Sequence, residues 1–176
     1  MKKIVILAIL FAVLFGCVTA ITTRMINQPI ADPIETKNFL DIVSFVLIEN
    51  GFDIKMLNET YGIISTEWRS VKSGADTAAT ILSALDSSSS MTSYSRALMI
   101  QIQMTEAGYI LTPKLKRMST TTSGFGGSSR EQVDYPTPES PEGKLAVRIV
   151  EEINLKLGLP NNYIWEEKVI EIGQES

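Results

Sequence analysis

Two segments of the chain repeat their apolar residues at the spacing of an α-helix. The first follows Asp32-Pro33-Ile34-Glu35, which has the pattern of a helix start, and it ends at Asn50-Gly51. The second begins at Ser140-Pro141 and ends at Gly158. The apolar positions are Phe39, Ile42, Val43, Val46 and Leu47 in the first segment, and Leu145, Ala146, Ile149, Val150, Ile153 and Leu157 in the second.

The first of these helices has an unusually apolar surface. Besides its main stripe it carries Leu40, Phe45 and Ile48, so apolar side chains cover most of its girth. We therefore expect this helix to be buried on more than one side, or to be covered in part by another protein. The second helix is amphipathic, because charged residues of mostly opposite sign line its other face at i, i+4 spacing.

Four shorter segments alternate apolar and polar residues, as strands with one buried face do. They form two pairs, residues 52–71 with a turn at 58–60, and residues 96–118 with a turn at Glu106-Ala107-Gly108. Pro113 lacks an N–H group, so the last strand is expected at an edge or with a bulge. The pattern predicts an α+β fold, with an antiparallel sheet of about four strands and two helices on one face. The predicted order is helix, strand, strand, strand, strand, helix.

The remaining segments have no regular pattern. Residues 72–95 and 119–139 are rich in small polar residues and are predicted to be loops, either solvated connectors or an edge that faces a partner or lipid. Residues 161–176 form a tail that either docks on the domain or serves as a contact peptide. A single folded domain is therefore predicted over residues 32–160.

The N-terminal residues have the layout of an export signal. Met1-Lys2-Lys3 is positively charged, and Ile4–Phe15 contains no polar side chain. Other interpretations of this apolar run stay open besides a cleaved signal. Residues 4–21 reach the lower limit for a membrane span, which would give an uncleaved N-terminal anchor in the inner membrane. Cleavage after Ala20 would instead give an ordinary secreted protein.

The end of this apolar run, Leu14-Phe15-Gly16-Cys17, resembles the lipobox of bacterial lipoproteins, although its second residue is bulkier than is usual there. The resemblance implies that residues 1–16 are a signal peptide and that cleavage falls between Gly16 and Cys17. It also implies that Cys17 is acylated, with palmitate among its chains, and holds the protein on a membrane. Residues 17–31 would then be the acylated N-terminus and its tether.

The residue after the cysteine bears on which membrane this is. Val18 stands where an aspartate commonly retains lipoproteins at the inner membrane. The resemblance therefore implies attachment to the outer membrane of a diderm bacterium, facing the periplasm. The expected partners are the membrane, through acylated Cys17, and another protein of the envelope.

Composition excludes several classes of function. The chain has 16 Lys and Arg against 20 Asp and Glu, no histidine and one cysteine. A net charge of −4 without a basic cluster disfavours nucleic-acid binding. The absence of histidine excludes Ser-His-Asp and Cys-His catalysis, and a single cysteine excludes an internal disulfide. We therefore expect no catalytic residues, no metal site and no cofactor.

Residues 36–71 also resemble a known family. An apolar helix, the letters ENGFDI and the letters GIISTEWR are similar to the helix-grip-like domains of BamC, the accessory lipoproteins of the β-barrel assembly machinery. The resemblance implies an accessory role at the outer membrane. The two Ser/Gly-rich segments are not expected in that family, so a shared partner surface does not follow.

Two functions remain after these exclusions, besides an enzyme that would use carboxylates alone. The first is a non-enzymatic envelope lipoprotein that acts as a scaffold or accessory subunit, with Trp68, Tyr163 and Trp165 as candidate partner contacts. The alternative is a periplasmic binder of a small apolar or cell-wall-derived ligand. An apolar cavity lined by Ile100, Ile102 and Ile149 would favour the binder, whereas a filled core with an exposed apolar edge would favour the scaffold.

Overall fold

A computed structural model describes residues 19–71, 90–123 and 126–172. The α+β class is as predicted, but the sheet has eight strands, so the prediction of about four strands is wrong. The elements in chain order are β1 (Thr19–Pro29), α1 (Thr36–Glu49), β2 (Ile54–Asn58), β3 (Ile63–Thr66), β4 (Arg69–Val71), β5 (Ser90–Thr105), β6 (Gly108–Ser123), β7 (Gly126–Asp134), α2 (Pro141–Leu157) and β8 (Ile164–Ile172).

The long hairpin of β5 and β6 organises the sheet. Each strand has 16 residues, and they pair without interruption from Thr105 and Gly108 to Ser90 and Ser123. The outer edge of β5 pairs with β3 and then β4, and the outer edge of β6 pairs with β1 and then β7. The main path of the sheet is therefore β2-β3-β5-β6-β1-β8.

The hairpin has two halves, which differ in the strands that pair with them and in whether the helices cover them. We call residues 90–97, 116–123 and 126–133 the arm, where β5, β6 and β7 form three antiparallel strands. The half nearer the 106–107 turn pairs with β1 and β3 and lies against the helices. Strand pairing thus continues from the core half into the arm without a change of register.

The described residues form two compact units. One contains residues 24–167, and with it both helices, most of the sheet and the core. The other includes the strand ends 19–23 and 168–172. Within this smaller unit the Thr23 hydroxyl donates to the Lys168 carbonyl over 3.0 Å.

One face of the sheet forms the core with the two helices. Ile26, Leu111, Ile102 and Ile64 are directly paired across four strands and are all fully buried. Residues of both helices belong to the same cluster, so both helices cover this face. At the centre, the ring centroids of Phe39 and Tyr109 lie 5.3 Å apart. Each fully buried aliphatic side chain contributes about 1.5–3 kcal/mol relative to exposure.

The ends of the helices follow the sequence signals in all but one place. The hydroxyl of Ser140 accepts from the Gly143 N–H over 3.0 Å, and Gly158 closes α2 in the left-handed conformation. Asn50 is the C-cap of α1, as predicted. The helix start predicted at Asp32 is wrong, because α1 begins at Thr36 and its N-cap, Glu35, makes no side-chain capping bond.

A buried polar network, which we call the clasp, joins the C-terminal segment to the core. The Tyr109 hydroxyl donates to Asn154 Oδ1 over 2.8 Å, and Asn154 Nδ2 donates to Gln28 Oε1 over 2.8 Å and to Asn161 Oδ1 over 3.0 Å. Gln28 Nε2 in turn donates to Asn162 Oδ1 over 2.6 Å. Because Gln28, Tyr109 and Asn154 are fully buried, these bonds replace the water that the groups lose on folding.

Several segments predicted to be irregular are strands. The predicted tether 17–31 contains β1, the predicted loop 119–139 contains the end of β6 and all of β7, and the tail 161–176 contains β8. Residues 90–95 of the predicted loop 72–95 belong to β5. The prediction failed there because most of these strands expose both faces or carry few apolar residues, so they lack the alternation of a half-buried strand.

Other predictions fall outside the described residues. These include the signal peptide 1–16, the cleavage site at Gly16, the acylated Cys17 and residues 72–89 of the first predicted loop. Neither helix in the described part of the chain combines the length and the apolar character needed to cross a membrane.

Candidate interaction surface

The outward side of the helix pair exposes three large apolar side chains, Phe45, Ile48 and Leu155, which we call the outer helix face. Their exposed fractions are 50%, 60% and 80%. Phe45 and Ile48 lie on α1, and Leu155 lies on α2. The Lys156 ammonium lies 4.4 Å from the centroid of the Phe45 ring, so the residue next to Leu155 contacts α1.

The two stripes of α1 explain this exposure. The five buried residues of α1 all face the sheet or α2, and they include Leu40 from the extra apolar set. Phe45 and Ile48 lie about 100° or more away from the centre of that stripe, so one sheet and one neighbouring helix cannot bury them. The sequence predicted either further burial or cover by another protein, and within the described chain they remain exposed.

Polar contacts hold the two helices in a fixed relation beneath this surface. Asn50 Nδ2 donates to Glu152 over 2.5 Å, and Arg148 donates to Asn50 Oδ1 over 3.2 Å. Arg69 donates to the Asn50 carbonyl, and its guanidinium lies 5.0 Å from the Phe52 ring centroid. The C-terminal end of α1 is therefore tied to both α2 and β4.

A second exposed apolar region lies at one edge of the sheet. Met56 and Leu57 of β2 are both exposed, although they point to opposite faces of the strand. Their partners Ser65 and Ile64 on β3 are buried, so the exposed apolar side chains begin at β2. Strand β2 ends the path of the sheet, and its outer edge pairs with no other strand among the described residues.

The three aromatic residues singled out in the sequence lie at separate places. Trp68 is half-buried between β3 and β4, and the Lys116 ammonium lies 4.8 Å from its ring centroid. Tyr163 and Trp165 are half-buried and pack against the core at the β8 side. Three strands, β5, β6 and β1, separate these two positions, so the three residues do not form one continuous contact surface.

Tyr163 is held in place by a specific bond. Its hydroxyl donates to Glu151 over 3.1 Å, which joins the segment before β8 to α2. Burial, the bond to Glu151 and the negative charge of that carboxylate raise the pKa of Tyr163. The hydroxyl therefore keeps its proton at neutral pH and remains a donor to the carboxylate.

No group of three or more His, Cys, Asp or Glu residues is placed to hold a metal ion within residues 19–71, 90–123 and 126–172. Sequence reasoning missed Leu155, because it lies outside the apolar stripe of α2 and next to a lysine. Its position on the helix could have revealed it, since a leucine opposite a buried stripe must face solvent or a partner.

Comparison with known proteins leaves the interpretation to the residues themselves. No protein-family model matches this chain, and no curated protein matches it. The resemblance of residues 36–71 to BamC therefore stays a prediction.

Proposed function

We propose that this protein is a non-enzymatic, lipid-anchored accessory subunit of a bacterial envelope, and that it contacts a partner protein through the outer helix face. The observation that carries the proposal is the joint exposure of Phe45, Ile48 and Leu155 on two adjoining helices. Single exposed apolar residues are common, whereas grouped ones mark interaction sites. Aromatic and aliphatic side chains of this size supply much of the binding energy when a partner covers them.

The state of the core favours a scaffold over a small-ligand binder. Ile100, Ile102 and Ile149 were the residues expected to line a ligand cavity. All three are 0% exposed and lie in one continuous cluster with the helices. Their side chains belong to this packed cluster and do not line an open cavity, which favours binding at the surface.

The anchor rests on the lipobox resemblance and on the position of the first strand. Cys17 precedes Thr19, the first residue of β1, by two residues. An extended chain spans about 3.3–3.6 Å per residue, so an acylated Cys17 would bring the start of β1 within about 7 Å of its attachment point. A short link between Cys17 and β1 would therefore take the place of the tether predicted over residues 17–31.

Site-specific photocrosslinking in intact envelopes tests the contact surface. A photoreactive amino acid at Ile48 should give a discrete adduct with a second protein, and the same group at Gln103, exposed on the opposite face of the sheet, should give none. A Leu155→Ser substitution should weaken the adduct from Ile48 without unfolding the protein. Equal adducts from both positions, or none from either, would contradict the proposal.

A separate measurement tests the anchor. The natural chain should incorporate labelled palmitate, and a Cys17→Ser variant should lose the label and leave the membrane fraction or stay uncut. Unchanged labelling in Cys17→Ser would exclude the lipoprotein part of the proposal. It would leave the contact surface to be judged by crosslinking alone.

A further inference from the structure

The arm carries a set of arginines on the face that it shares with the core. Arg96 on β5 lies directly opposite Arg117 on β6, which lies opposite Gln132 on β7. The next row on this face comprises Tyr94, Ser119 and Arg130. Directly paired residues of antiparallel strands point to the same side, so three arginines from three strands face one surface.

These two rows line an open groove of about 390 Å³. Its size falls in the range of small-ligand sites, which are about 300–1,000 Å³. The groove begins where the helical layer ends, since Leu98 and Leu115 in the next row are buried in or against the core. The N-terminal turn of α2 forms the boundary there, because Glu142 reaches Arg96.

The charges of the groove are only partly balanced. Arg96 Nη1 lies 3.5 Å from Glu142 Oε1, and Arg117 Nε lies 3.5 Å from Asp134 Oδ2. Arg130 makes no hydrogen bond or ion pair with any residue in the described ranges. Arg130 therefore brings a guanidinium to the groove that has no carboxylate partner within the described residues, in a chain whose net charge is −4.

Arg96 and Arg117 lie directly opposite each other on neighbouring strands, which lowers the stability of the sheet at this row. Like charges directly opposite each other destabilise a sheet, and the carboxylates of Glu142 and Asp134 reduce that cost. A guanidinium has five N–H donors, and those of Arg130 meet no acceptor within the described residues. The donors of Arg130 therefore remain for a ligand that enters the groove.

We propose that this groove binds a phosphate group, carried either by a soluble phosphoester or by a lipid headgroup. The planar fork of arginine fits two phosphate oxygens at once, and guanidinium–phosphate bonds are among the strongest hydrogen bonds in proteins. The volume leaves room for the substituent of a phosphoester beside the exposed ring of Tyr94. This activity goes beyond the proposed protein contact, which uses the outer helix face.

Titration of the full chain in a neutral detergent tests the proposal. Inorganic phosphate and glycerol 3-phosphate are added while the Nε–Hε signals of the arginines are followed by NMR. The signals of Arg96, Arg117 and Arg130 should shift together and saturate. An Arg130→Gln variant should bind about tenfold more weakly, the size expected for one charge-assisted contact. Arg130 is exposed and has no described partner, so this variant should keep its fold.

A matched charge change separates a site from general attraction. Lys37→Gln removes the same charge from an exposed position of α1, which lies outside the arm, and should leave the affinity unchanged. An Arg130→Lys variant should bind between the natural chain and Arg130→Gln, since it keeps the charge and loses the fork. Equal weakening by Lys37→Gln, or no saturable shift with either soluble probe or vesicle, would overturn the proposal.

Vesicles distinguish the two sources of phosphate. If the ligand is a lipid, the chain should bind phosphatidylglycerol vesicles more tightly than phosphatidylcholine vesicles, and Arg130→Gln should remove that preference. A Cys17→Ser background keeps acylation from masking the difference. Binding of the soluble probes without a vesicle preference would identify a soluble phosphoester instead. A vesicle preference that Arg130→Gln leaves intact would count against the groove.

Discussion

The two halves of the β5–β6 hairpin share one backbone register and differ in almost everything else. In the core half, Leu98, Ile100 and Ile102 are fully buried beneath the helices. In the arm, Thr92 and Thr121 face each other on the same two strands, with their hydroxyls 3.0 Å apart. The core half is stabilised by the removal of apolar surface from water. The arm is stabilised by backbone pairing among β5, β6 and β7. A strand pair can therefore continue beyond its core when a third strand joins it.

The largest effect is expected from truncating a core side chain of this hairpin. Ile102→Ala should lower the free energy of unfolding by about 2–5 kcal/mol, because it removes buried methyl groups and leaves a cavity. Thr121→Ala in the arm should change it by less than about 1 kcal/mol. Urea unfolding of both variants gives the comparison. Similar losses from both would mean that the arm contributes to global stability as much as the core.

A smaller effect is expected at the clasp. Tyr109→Phe removes the donor to Asn154 Oδ1 and leaves that buried oxygen without its bond, which should cost about 1–3 kcal/mol. Tyr61→Phe is the control, because Tyr61 is exposed and should tolerate the loss of its hydroxyl. If Tyr109→Phe lowers the free energy of unfolding no more than Tyr61→Phe does, the bond from Tyr109 to Asn154 does not stabilise the fold.

The same tyrosine predicts a dependence on alkaline pH. Burial raises the pKa of Tyr109 above the usual value of about 10 for the unfolded chain. Its contribution to stability is therefore complete below pH 10, and it is lost as the pH rises from there towards the higher pKa of the folded state. Unfolding measured between pH 9 and 11 should show a steeper loss for the natural chain than for Tyr109→Phe.

The smallest effect on the whole molecule is expected from breaking the arm alone. Thr121→Pro removes a backbone N–H from β6 where it lies between β5 and β7. Hydrogen exchange should quicken at least tenfold in the arm and stay unchanged at the Ile100 and Ile102 amides, because the arm opens locally. Faster exchange at Ile102 would show that arm and core unfold as one unit.

The contrast also explains how far the sequence could predict the fold. Around Leu98 and Ile102 the alternation with Gln101 and Gln103 predicted a strand, because burial of one face leaves a visible period. In the arm, neither Thr120–Thr122 nor the Ser and Gly residues of β7 show such a period, since water or polar groups lie on both faces. Those strands follow from register with their neighbours, a long-range property that local composition does not carry.

The same limit applies to the surfaces. The excess apolar girth of α1 indicated that Phe45 and Ile48 were unusual, because helix periodicity is local. Leu155 and the arginines of the groove became visible only when the fold placed distant residues together. Arg96, Arg117 and Arg130 lie on three strands, and nothing in their separate sequence neighbourhoods relates them.

The position of β1 has a consequence for how the chain reaches its native state. This first strand pairs with β6 and lies next to β8, and its Arg24 bonds to Glu167, 143 residues further along. Closing so long a loop is slow and entropically costly, and contacts of this kind lower folding rates. A chain that emerges from its N-terminus onward therefore keeps one edge of its first strand unpaired until its last strand has arrived. Completion of the sheet is a late event that requires the whole polypeptide.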